Sequence, residues 1–120
     1  MRRLQNVALA VCLILTIALP AVAQSGFPPV KIISVRSPVS HGAIGLVTVQ
    51  TSPRTSCSIT VIYKSGPSTA AGLVPTVADA HGMVTWTWMV GTRTTPGQWP
   101  IVIECGTNNI TRVRTSFVVI

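Results

Sequence analysis

The sequence predicts an all-β fold, an antiparallel β-sandwich of about seven short strands with one disulfide, and three observations predict it. Apolar and polar residues alternate with period two through several segments, the spacing of a half-buried strand. Glycine and proline, nine of each in 120 residues, cluster in the short stretches that separate those segments. Beyond residue 23 no segment repeats its apolar residues at helical spacing or carries a capping box.

The first element is not expected to belong to the fold. Arg2-Arg3 precedes an apolar run from Val7 to Leu19, then Pro20 and the small-residue motif Ala21-Val22-Ala23. This three-part pattern predicts a signal peptide over residues 1–23, cleaved after Ala23, and hence a secreted or cell-envelope protein. The rival reading is a retained membrane anchor, for which Val7 to Ala23 is marginal against the roughly 20 apolar residues of a bilayer span, so no stable membrane span is expected after cleavage. Cys12 follows Val11, where a lipoprotein signal needs a small residue, and more apolar chain follows it. Cleavage removes Arg2 and Arg3 from a net charge of +7, leaving +5, and leaves Cys57 and Cys105 as the only cysteines. An even pair in an exported chain predicts a disulfide. With its ends 48 positions apart, that bridge is worth about 4 kcal/mol in the chain-entropy model.

Residues 24–29 read as a short tether and residues 30–120 as one domain, small enough for a covalent staple to matter. Val30 to Val35 is the first strand candidate. Ser37 to Gly42 breaks the pattern, and Ala43 to Thr51 resumes it with Gly45, Val47 and Val49 inward. From Cys57 to Lys64 the alternation puts Cys57, Ile59, Val61 and Tyr63 on one face. Ser65-Gly66-Pro67-Ser68 predicts a turn, and Leu73 to Asp79 a weaker edge strand, because Pro75 cannot donate to a ladder. Asp79-Ala80-His81-Gly82 suits a tight turn, with aspartate first and glycine last.

Met83 to Val90 places Val84, Trp86, Trp88 and Val90 on one face, and Gln98 to Cys105 places Trp99, Ile101, Ile103 and Cys105 on one face. Pro96-Gly97 between them fits a type II turn, which predicts that the two runs form a hairpin. Gly106 to Asn109 predicts a second hairpin turn. Ile110 to Ile120 closes the chain with Val113, Phe117 and Val119 inward and Arg112 and Arg114 on the outer face. The two cysteines lie near each other if their strands are antiparallel neighbours or face one another across the core.

Pro38-Val39-Ser40-His41-Gly42, Cys57-Ser58-Ile59-Thr60-Val61, Ser65-Gly66-Pro67-Ser68, Ala78-Asp79, Trp86-Thr87-Trp88, Val90-Gly91, Thr95-Pro96-Gly97 and Cys105 together resemble a small immunoglobulin-like domain of bacterial secreted and surface proteins. The resemblance spans nearly all of residues 30–120 and implies an immunoglobulin-like β-sandwich with a spacer or adhesion role. Antibody-type domains fit poorly: no tryptophan follows the first cysteine at their spacing, and Ile103 stands where their corner tyrosine would be.

Candidate sites are few. Trp86, Trp88 and Trp99 share faces with valine, isoleucine and cysteine, which favours core packing over a sugar-binding platform. His41 and His81 each precede a turn glycine with no second ligand at metal spacing, so no metal or other cofactor is expected. The chain has two acidic residues, Asp79 in a turn and Glu104 on an outward face, which disfavours acid–base catalysis. Asn109-Ile110-Thr111 matches a glycosylation sequon, a pattern short enough to recur by chance. Lys31, Arg36, Arg54, Lys64, Arg93, Arg112 and Arg114 are scattered, with none of the basic runs of a nucleic-acid module, so no nucleic-acid partner is expected. Arg93, Arg112 and Arg114 are the candidate ligand-facing residues. The expected partner is an anionic cell-envelope polymer or another surface protein, held weakly and released by moderate salt. The rival reading is a secreted carbohydrate-binding module using exposed tryptophan and arginine.

Overall fold

A computed structural model describes residues 26–120; the expected signal peptide lies outside them. Eight strands occur in chain order: β1 (Lys31–Val35), β2 (Ile44–Gln50), β3 (Ser56–Tyr63), β4 (Gly66–Pro67), β5 (Thr76–Val77), β6 (Met83–Met89), β7 (Gly97–Cys105) and β8 (Thr111–Val119). There is no helix among the described residues. The strands form two antiparallel sheets, one ordered β1-β2-β6 and the other β4-β3-β7-β8, with the two-residue β5 also paired to β3. The fold is the all-β antiparallel sandwich with one disulfide that the period-two segments predict.

Alternation explains what each strand buries. Val47, Val49, Val84, Trp86, Trp88 and Val90 point inward from the first sheet. Cys57, Ile59, Val61, Ile101, Ile103, Cys105, Phe117 and Val119 meet them from the second. Gly45 lies opposite Trp88 in the β2–β6 register, and a β-carbon there would come within 2.6 Å of the indole. The Trp88 ring therefore occupies the space that any side chain at position 45 would need, and it reaches Phe117 of the other sheet edge-on, at 5.6 Å between centroids.

Three expectations are corrected. The runs β6 and β7 do not form a hairpin, because they belong to different sheets and the chain crosses the sandwich between them. The turn in that crossing is Gly91 to Thr94, closed by Thr94 N–H donating to the Gly91 carbonyl at 3.0 Å, while Gly97 already begins β7. Leu73 to Asp79 yields only Thr76–Val77 as strand. The preceding loop instead lies along β6: Trp86 Nε1 donates to the Val74 carbonyl, and Gly72, at φ +99°, sits too close to the Thr87 carbonyl for any side chain. In addition, Gly66–Pro67 is not a plain turn but pairs with Ile62 and Tyr63, leaving Lys64 and Ser65 as a two-residue hairpin loop.

Cys57 and Cys105 are bonded. They are directly opposite residues of neighbouring strands β3 and β7, with Cα atoms 4.1 Å apart, as in the close, non-hydrogen-bonded pairs of an antiparallel ladder. Of the two arrangements open from the sequence, the bridge lies within one sheet rather than across the core. Ser37 and Val39 cover one half of the outer edge of β8: Val118 N–H donates to Ser37 Oγ, and Val39 N–H donates to the Val118 carbonyl.

Candidate functional site

Two clefts open at opposite ends of the sandwich. The disulfide end carries a cleft of about 660 Å³ between the entering segment at Phe27 and Pro28, the β2–β3 connection and the β7–β8 turn. Its polar lining includes Ser56, Asn108 and Asn109, with Arg54 as its one cation. Arg54 adopts φ +62°, and its N–H donates to the Asp79 carbonyl, so the residue locks the β2–β3 connection onto the Asp79 turn. Thr111 Oγ1 donates to the Pro28 carbonyl at 2.6 Å and holds the entering segment against β8.

The opposite cleft, about 570 Å³, lies between the β3–β4 hairpin loop and the β6–β7 crossing. Tyr63, Lys64 and Ser65 line one side, and Arg93, Thr94 and Thr95 the other. Tyr63 is the last residue of β3 and falls on its inward face. There its ring meets Trp99 at 6.3 Å and Phe117 at 6.1 Å, both edge-on, and its hydroxyl accepts a hydrogen bond from Trp88 Nε1 at 3.1 Å. Burial pushes the Tyr63 phenol above its ordinary 10.0, with the indole N–H pulling weakly the other way, so the group is a neutral hydroxyl at physiological pH. That hydroxyl accepts from Trp88, and its own hydrogen is given no acceptor by the described residues. The crossing is fixed at both ends. Val90 N–H donates to the Ala43 carbonyl, and Trp99 Nε1 donates to the Thr95 carbonyl at 2.8 Å.

The three candidate arginines are not brought together. Arg112 donates through Nε (3.0 Å) and Nη2 (2.7 Å) to Glu104 Oε2 across β7–β8. Its charge is answered within the fold. Arg114 lies two residues further on the same exposed face, opposite Val102, with no ion pair among the described residues. Arg93 stands at the other end, in the cleft with Lys64, which the sequence alone shows only as one of several scattered charges. The signal that could have paired them is the register. If Cys57 faces Cys105, then Lys64 lies beside the chain just before Trp99, where the Gly91–Pro96 crossing arrives.

Both acidic residues of the chain are engaged in the fold. Asp79 Oδ1 accepts from Met83 N–H at 2.9 Å and His81 N–H at 2.8 Å. These backbone bonds, the Met83 bond first, hold its carboxyl below the ordinary 3.8. Trp86 and Trp88 are each 2% exposed, and Trp99 is half-buried. Among the described residues no group of three or more histidine, cysteine or acidic side chains could hold a metal ion.

No family model matches the chain, and no curated protein matches it. Among solved structures it is similar to part of a β-glucosidase from Listeria innocua. The glucose complex of that enzyme aligns at 10% identity and a TM-score of 0.41. The isofagomine complex aligns at 11% and 0.42. Each alignment covers 77% of this chain and only 16% of the enzyme's length.

Proposed function

We propose that this chain is a secreted immunoglobulin-like module that acts by binding at the bacterial cell envelope, without catalysis of its own. The observation that carries the reading is the disposition of charge. Its two acidic side chains are spent on a turn and a cross-strand pair, whereas Lys64, Arg93 and Arg114 are exposed with no acidic partner among the described residues. A surface of this kind attracts polyanions, and both carboxylates that could serve as acid or base are already engaged in the fold. The strand order supports the immunoglobulin-like part. β1, β2 and β6 occupy the places of strands A, B and E, and β3, β7 and β8 those of C, F and G. The bridge joins C to F within a sheet, where antibody domains join B to F across the core. The carbohydrate-binding alternative has two of its three indoles in the core and the third tied to Thr95, so it has no stacking platform of adjacent exposed rings.

The test is co-sedimentation of oxidised residues 24–120 with isolated bacterial envelope polymers across a salt series, beside turnover assays on chromogenic glycosides and esters. Binding that weakens as salt rises, with no turnover, is the expected result. Turnover, or absence of any sedimentation at low salt, overturns the reading.

A further inference from the structure

We propose that the cleft between the Lys64–Ser65 loop and the Gly91–Thr95 crossing is an oxyanion-binding site that takes the phosphodiester or carboxylate groups of an anionic polymer. The inference rests on the envelope-binding reading and locates it on one site.

Two cations from segments far apart in sequence line one cleft, and neither aspartate nor glutamate is among its lining residues. Two cations on one cleft raise its positive potential, which favours an anion there. Neutral donors surround them. Ser65, Thr94 and Thr95 supply hydroxyls, and Tyr63 supplies a phenol whose oxygen is held by Trp88, leaving its hydrogen to give. The backing is rigid because Tyr63 is wedged against Trp99 and Phe117, while hydrogen bonds at Val90 and Thr95 pin the crossing. A pre-formed set of donors binds an anion without the cost of ordering loops first. The other cleft, with Arg54 as its one cation and amides around it, lacks this concentration of charge.

The experiment uses oxidised residues 24–120 and two defined probes, a short poly(glycerol phosphate) and an oligogalacturonate, followed by amide NMR shifts and tryptophan fluorescence. Shifts are expected at Tyr63–Ser65 and Gly91–Thr95. Lys64→Gln with Arg93→Gln should weaken binding by about tenfold or more, as loss of two charge-assisted contacts implies. The charge-matched pair Lys31→Gln with Arg36→Gln, two exposed cations outside the cleft, should weaken it by less than about threefold, as expected for screened surface charge. All four positions are exposed, and unchanged melting temperatures show that the variants fold. Binding of the phosphate probe alone, or of the uronate alone, names the source of the oxyanion. Equal loss in the two charge-matched variants, or shifts spread over β1 and β8, overturns the site. If neither probe binds while the protein still sediments with envelope polymers, the site fails and the broader reading stands.

Discussion

At one end of the sandwich Cys57 and Cys105 join β3 to β7 covalently; at the other, Tyr63, Trp88, Trp99 and Phe117 meet ring against ring with no covalent link. The difference is in what each device connects. The disulfide ties two strands that already share a ladder, so it acts mainly by restricting the unfolded chain and does little to hold one sheet upon the other. The aromatic end does the latter. Trp88 belongs to the three-stranded sheet, and its indole reaches Phe117 and the Tyr63 hydroxyl of the five-stranded sheet. The covalent end therefore sets how much stability the domain has, and the aromatic end sets the geometry of the basic cleft.

The sharpest way to break this contrast is to remove the bridge. Cys57→Ser with Cys105→Ser should cost about 2–5 kcal/mol, read by denaturant unfolding, because it frees a 48-residue loop in the unfolded state. Whatever fraction stays folded should keep the Tyr63 surroundings and therefore probe affinity. An unchanged midpoint would sink the account of the disulfide end.

Gly45→Ala tests the other end. The added methyl would meet the Trp88 indole, which Phe117 and Tyr63 hem in from beyond, and overpacking of this kind costs about 1–3 kcal/mol. The near-ultraviolet circular dichroism of the tryptophans should change with it. A variant as stable as the parent would mean that the indole can move freely, and with it the backing of the cleft.

Tyr63→Phe is subtler. It leaves the ring in place but strips the acceptor from the partly buried Trp88 N–H, which should cost about 1–2 kcal/mol and weaken oxyanion binding in parallel. Loss of stability with full retention of binding would separate the phenol from the site.

The Asp79 turn, next to the disulfide end, gives the smallest effect. Because the folded carboxyl titrates below 3.8, its contribution is complete above that ordinary value and is lost as the pH falls through the lower, folded one. Asp79→Asn should flatten that part of the acid-stability profile while changing neutral stability little, which unfolding midpoints measured from neutral pH down into the acid limb will show.

Face assignments were legible because they depend on alternation alone. Val84, Trp86 and Trp88 point inward as period two dictates, and so do Phe117 and Val119. Strand partnership was not legible in the same way. The stretch from Gly91 to Pro96 can reverse a chain within a sheet or carry it to the opposite one, and what decides here is tertiary: β6 pairs with β2 and β7 with β3. The same limit hid the basic cleft. Arg93 was singled out, but its companion Lys64 comes from a separate loop, and only the tertiary fold sets the two on one cleft. The ion pair of Arg112 was, by contrast, within reach of the sequence. Its partner Glu104 is its opposite number across the β7–β8 hairpin, so a register count through the Gly106–Asn109 turn would have matched the charges.

The half-covered edge of β8 has a consequence for solubility. Ser37 and Val39 occupy the edge beside Val118 and Val119, but from Arg112 to Ser116 no described strand pairs with it. An open edge is a template on which a second copy of the same strand can assemble. Two copies meeting there antiparallel about Arg114 would set Arg114 against Arg114, with Arg112 beside Ser116 of the other chain, and like charges placed directly opposite repel. Arg114 thus guards the molecule against pairing with its own copy through the closing strand.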